Sequence, residues 1–221
     1  MTHSPKTDNA NLASKLELRR HMLRRHHADG DIRVFDCCQG SGVLWAKLRE
    51  EFHVKSYWGV DVKAKTGRLK IDSRRVVCQP DLRCNVIDID TYGMPWDHWV
   101  GLLPNIVEPT TVFLTIGLVT MGGGSALSKT VRRSLGIPGD WPLSPVFTDE
   151  LVRFSCGMFI SMPAHNGYQS IEAWESTRGA SARYIAVRIG IPPARSHSVE
   201  PRASDGVTDQ SKKTKGKRCR T

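Results

Sequence analysis

Val34-Phe35-Asp36-Cys37-Cys38-Gln39-Gly40-Ser41-Gly42 is the stretch on which the reading of this chain turns. An apolar run ends on an acid, and two glycines one residue apart follow. The pattern predicts a buried strand over 32–37, a tight Gly-x-Gly turn and a helix over 43–52. Gly40 and Gly42 can take positive φ and let a ligand approach the backbone closely. Amides at the start of the following helix then face a negative group.

Working outward, further strands are expected at 56–60, 68–71, 85–89, 111–119 and 182–191, bounded by turn residues. Helical spacing is expected from Leu12 to near Gly30, and over 95–103, 125–135 and 148–160. In the first of these, Leu12, Leu16, Met22 and Leu23 form the apolar stripe, with Arg19, Arg20, Arg24 and Arg25 mostly away from it. Residues 161–170 read as a loop. Strands alternating with helices argue for an α/β fold with a mostly parallel sheet of about seven strands covered on both faces. Ligands of such sheets sit outside the carboxyl ends of the strands. Four expected strands end there in an acid: Asp36, Asp61, Asp72 and Asp90.

The chain has 221 residues, which suits one domain over 12–191, with a disordered N-terminus over 1–11 and a disordered basic tail over 192–221. No apolar run reaches the length of about 18 residues that a membrane span needs. The polar start has no apolar signal core. Six cysteines, at 37, 38, 78, 84, 156 and 219, form no CxxC pair, so neither a zinc site nor a disulfide framework is expected, and reduced thiols fit a cytoplasmic setting. Cys37 and Cys38 read as core packing. The net charge is +10, and six of those positive charges fall in the last eleven residues, leaving +4 for the other 210. A second basic cluster, RRHMLRRHH, spans 19–27, with His26 and His27 read as part of a basic face. Positive ends make RNA or DNA an expected partner, a solvated face and tail being the alternative.

Two cofactor classes compete for the first turn. A nicotinamide dinucleotide calls for a third glycine, but Gly40-Ser41-Gly42-Val43-Leu44 is followed by Trp45. Asp36 would also repel a pyrophosphate. S-adenosylmethionine carries a cationic amino group and an anionic carboxylate, so a turn offering both an acid and amides suits it. Asp61, 25 residues after Asp36, is placed to hold ribose hydroxyls, and Asp72-Ser73 to meet the adenine amine.

From about Ile32 to Val119, and more loosely to Ile191, the sequence resembles the class I S-adenosylmethionine-dependent methyltransferases, which have a Rossmann-like fold. Much of that family reads D-x-G-x-G-x-G at the first loop, and Cys38 stands at the first glycine. Members that methylate base amines in DNA or RNA often carry a side chain there. The resemblance therefore implies cofactor contacts from Asp36, Cys38, Gly40, Gly42, Asp61, Asp72 and Ser73, and leans towards a nucleic-acid substrate.

The second informative stretch is VIDIDTYGMPW, residues 86–96. By the strand period of two, Asp88 and Asp90 share one face, and such carboxylates are costly unless they border a cleft. Asp88-Ile89-Asp90-Thr91-Tyr92-Gly93 is similar to the D-x-D-P-F-G of tRNA guanine-N2 dimethyltransferases, with Thr91 in place of proline. The resemblance implies Asp90 as acceptor of a hydrogen bond from the base amine and Tyr92 as the ring on which the base stacks. Thr91 and Gly93 would line the substrate pocket, with His165 as a loop residue gating it. Trp96 and Trp99 read as core. The expected activity is methylation of an exocyclic nucleobase amine. The rivals are a protein or small-molecule methyltransferase and a nucleic-acid-binding module that has lost catalysis. No metal is expected.

Overall fold

The computed structural model describes residues 11–63, 69–91, 94–117, 128–134, 136–138, 170–176 and 182–190. Seven strands, β1 (Ile32–Asp36), β2 (Val54–Asp61), β3 (Leu69–Lys70), β4 (Val86–Ile89), β5 (Thr110–Gly117), β6 (Ser170–Glu175) and β7 (Ala182–Gly190), form one sheet. Its order is β3-β2-β1-β4-β5-β7-β6. The first five strands run parallel. β7 enters antiparallel between β5 and β6. The helices are α1 (Leu12–His26), α2 (Val43–Glu51), α3 (Ser73–Val77), α4 (Trp96–Leu102) and α5 (Lys129–Ser134). Order reverses at β1, where one half winds out through β2 and the other through β4, and clefts form at such a switch point.

Strand alternation sorts the core into two layers. Val34, Val86, Phe113 and Ala186 point to one face, where Leu16, Met22 and Leu23 of α1 and Trp45 and Leu48 of α2 cover them. Phe35, Ile87, Ile89, Val112 and Leu114 point to the other, under Val77 of α3 and Trp96 and Trp99 of α4. Trp96 and Trp99 are core, as expected. α1 runs against the direction of the parallel strands. Its first turns reach Asp90 at the carboxyl end of β4, and the residue after its last turn, His27, bonds Thr111 at the start of β5.

Several expectations change. Arg19 is not on an outer face: it is 1% exposed and lies in the sheet-facing stripe of α1. His27 is buried, not part of a basic face; its Nε2 lies 2.9 Å from Thr111 Oγ1 and 3.2 Å from Arg188. Pro95 precedes α4 as its N-cap instead of lying in its first turn. α3 and β6 were not anticipated; Ser170, read as loop, opens β6. The third strand shrinks to two residues. The expected helix over 148–160 and most of the loop over 161–170 lie outside the described residues. So do the segments assigned as disordered, apart from Asn11. No described helix is long and apolar enough to cross a membrane, and the described residues contain no cluster of His, Cys, Asp or Glu able to hold a metal ion.

Candidate functional site

β1 delivers Asp36 to the carboxyl edge of the sheet and the chain then turns sharply. Gly40 and Gly42 have φ of 52° and 74°, values that favour glycine. Gly42 N–H donates to Gln39 O at 2.7 Å to close the turn, and Gly42 caps α2. Gln39 N–H donates to Val60 O at 2.9 Å, tying the turn to β2. Asp61, at the end of β2, accepts from Gly40 N at 3.0 Å and from Lys63 N at 2.8 Å. Its carboxylate is thus oriented by the glycine turn itself. A carboxylate offers about four acceptor directions, so two remain for a ligand's hydroxyls.

Asp36 is 4% exposed. It stands in register with Asp88 of β4, and both point to the α1/α2 face. Tyr57 Oη donates to Asp36 Oδ2 at 2.8 Å and Cys38 N to Oδ1 at 3.2 Å. Burial first, and Asp88 second, push the Asp36 carboxyl up to about 8. Burial also pushes the Cys38 thiol up to about 12, which removes any thiolate at neutral pH and leaves Cys38 a packing residue.

Asp88 faces no cleft. It is 1% exposed and compensated from inside the protein. Arg19 grips it with Nε to Oδ2 at 2.8 Å and Nη2 to Oδ1 at 2.6 Å, and Trp45 Nε1 adds a third donor at 2.7 Å. The guanidinium lies 4.9 Å from the Phe113 ring centroid. Two residues on, Asp90 follows the carboxyl end of β4, 22% exposed at its side chain. Lys15 Nζ donates to both its oxygens, at 2.8 and 2.7 Å. Burial alone would raise the Asp90 pKa, but Arg19, then Lys15, outweigh it, and the carboxyl lies below its ordinary value.

The structure thus brings Asp36, Cys38, Gly40, Gly42, Asp61 and Asp90 to one edge, with Thr91 directly after Asp90. Asp72 and Ser73 are differently employed. Asp72 caps α3 through Arg74 N at 3.1 Å and pairs with the Arg74 side chain at 2.7 Å, which holds its pKa down to about 2. Ser73 is buried, its Oγ 2.8 Å from His98 Nε2. Neither side chain is therefore offered to an adenine ring as expected. Tyr92, Gly93 and His165 lie outside the described residues. Lys15, Arg19, Trp45 and Tyr57 were missed. The signal for the first two was present: Leu12, Lys15, Leu16, Arg19 and Leu23 follow three-and-four spacing, which places both cations against the sheet.

Comparison with family models and with curated proteins returns no match. Among solved structures, the chain is similar to Trm1 from Pyrococcus horikoshii in complex with S-adenosyl-L-methionine. The TM-score is 0.51 at 13% identity, over 83% of this chain and 54% of that one. A S-adenosylmethionine-dependent methyltransferase from Archaeoglobus fulgidus aligns with TM-score 0.43 at 14% identity, over 82% of this chain and 96% of that one. The chain spans about half the length of the first of these. At 13% identity the likeness to the first is one of fold. The chain has the Rossmann-like fold of the S-adenosylmethionine-dependent methyltransferases, a mostly parallel sheet closed by an antiparallel edge.

Proposed function

We propose that the chain binds S-adenosylmethionine and methylates an exocyclic amine of a nucleobase in RNA or DNA. One observation carries the reading: an ionised carboxylate, Asp90, stands at the end of β4, on the same sheet edge as a glycine turn whose flanking acids are Asp36 and Asp61. When bound, the cofactor supplies an electrophilic methyl group on a sulfonium. Asp36 would receive its ammonium and Asp61 its ribose hydroxyls, while Gly40 and Gly42 let it approach the backbone closely.

A base amine is a weak nucleophile because its lone pair is conjugated with the ring. Asp90, accepting a hydrogen bond from that amine, raises the lone-pair density and fixes its direction. Alignment with the methyl group supplies much of the remaining rate gain. Tyr92 is assigned to stack on the base, a contact of about 1–3 kcal/mol, with Thr91 and Gly93 beside it and His165 at the pocket entrance. Asp72 and Ser73 remain assigned to the adenine end only through their backbone, since their side chains are engaged elsewhere.

Calorimetric titration with S-adenosylhomocysteine, beside NAD and an Asp61→Ala variant, tests the cofactor. Micromolar binding of the homocysteine compound alone, weakened in the variant, is expected; binding of neither refutes an enzyme of this class. Transfer of labelled methyl to RNA, DNA and protein fractions tests the acceptor, and label confined to protein sinks the nucleobase reading. Asp90→Ala should abolish transfer while sparing cofactor binding. The basic tail is assigned to the phosphate backbone. Removing residues 212–221 should weaken RNA or DNA affinity and flatten its salt dependence.

A further inference from the structure

We infer that Lys15 is a positioning residue of the methyl-transfer site, fixing Asp90 as an oriented, ionised acceptor for the incoming amine. The inference rests on the role proposed for Asp90. Lys15 sits in the first turns of α1, where the helix meets the carboxyl end of the sheet. Its Nζ bridges both Asp90 oxygens, at 2.8 and 2.7 Å, and lies 5.3 Å from the centroid of the Tyr184 ring on β7. The pair is only partly open, with side chains 14% and 22% exposed. A cation held on three sides by a carboxylate, a ring and its own helix is a built contact, unlike a surface ion pair between two free side chains.

The groups that act on Asp90 come from four elements. α1 contributes Lys15 and Arg19, β1 Asp36, β4 Asp88 and β5 the Thr115 hydroxyl. Arg19 is already committed to Asp88 through two hydrogen bonds, so its charge reaches Asp90 only across space. Among the described residues, Lys15 alone supplies a cation in direct contact. Without it, Arg19 is the remaining cation acting on Asp90, and burial shifts the balance towards the protonated form, which presents an O–H to the amine and cannot draw its proton.

Lys15 could instead be read as a competitor standing where the substrate amine must bind. Geometry argues against that. A carboxylate has about four acceptor directions, and the ammonium takes one per oxygen, leaving the outer edge of Asp90 for a second donor. Expelling the ammonium would also strip Asp90 of the partner that keeps it charged when a base packs against it.

The test reads Asp90 directly and needs no acceptor. Carboxyl-¹³C-labelled aspartate in the full chain, with the Asp90 signal assigned through Asp90→Asn, gives its titration midpoint. In Lys15→Met, and in Lys15→Gln should methionine collapse onto Tyr184, the midpoint should rise by about one pH unit or more. Lys15→Arg should keep it near the native value. A midpoint unmoved by Met and Gln overturns the inference. With labelled cofactor and total RNA and DNA as acceptors, the acid limb of the rate profile should move up with the titration. A lowered KM with an unshifted limb would make Lys15 a competitor and also overturn it. If the native chain transfers no methyl while the titration still shifts, the nucleobase reading fails and the charge pairing stands.

Discussion

At the scale of single residues, α1 meets the carboxyl edge at a cluster of three of its acids, Asp36, Asp88 and Asp90, with two cations, Arg19 and Lys15, from distant parts of the chain. With Asp36 protonated, Asp88 and Asp90 balance Arg19 and Lys15, so the cluster is neutral without a ligand. Arg19 and Asp88 are both almost fully buried, which makes each dependent on the other. Breaking such a pair by removing one partner leaves an uncompensated charge and costs about 3–5 kcal/mol. Arg19→Met should therefore lower stability by about that much in urea unfolding. Arg19→Met with Asp88→Leu should recover part of it, less what Trp45 Nε1 loses as a donor without an acceptor. A double variant no more stable than Arg19→Met would show that Trp45, not charge, dominates the cost.

At the scale of elements, every strand but β6, and α2, were legible because apolar runs and the Gly-x-Gly turn are local signals. α1 was half legible. Its apolar stripe is plain, but reading Arg19 as solvent-facing followed residue type over spacing, and only the partner acid on a distant strand makes its burial affordable. α3 was hidden because five residues give no period to read; its start is set by the Asp72 cap. β6 was hidden because it is an edge strand, defined by its pairing with β7. The site followed the same rule. Acids at strand ends were found, while Tyr57 and Trp45, the side chains that hold Asp36 and Asp88, belong to tertiary packing.

β2 shows how an element serves the turn. Gly59 pairs with Asp36, and a Cβ there would lie 2.7 Å from Tyr57 Oη and 2.8 Å from Gln39 Cδ. The missing side chain makes room for the tyrosine that donates to Asp36 and for the glutamine opening the turn. Gly59→Ala must displace both, at a cost of about 1–3 kcal/mol. Cofactor affinity should fall with stability, since Gln39 leads into Gly40. Unfolding unchanged from native would mean that Gln39 swings aside freely and takes no part in shaping the turn.

At the scale of the whole molecule, the buried titratable groups set opposing demands on pH. His27 ties α1 to β5 and β7 on one face of the sheet, and His98 ties α4 to α3 on the other. Burial, with Arg188 beside His27 and Arg74 beside His98, lowers each to about 4. A lowered folded pKa contributes stability that is present above the unfolded value, about 6.5, and lost as pH falls towards 4. Each histidine is worth up to about 3 kcal/mol across that window. Asp36 has the opposite sign. Its folded pKa of about 8 gives stability that is present below about 4 and lost as pH rises through 8. Between about 4 and 6.5 two histidines outweigh one acid, and between about 6.5 and 8 the acid acts alone. Stability should therefore peak near pH 6.5 (about the unfolded histidine value) and fall on both sides. Urea midpoints from pH 4.5 to 8.5 measure it. His27→Gln with His98→Gln should move the peak to lower pH, and Asp36→Asn should flatten the alkaline side. A native midpoint that climbs steadily to pH 8.5 would mean that Asp36 is ionised in the free protein. The neutral cluster at the carboxyl edge would then carry a net negative charge, already set for a cationic ligand.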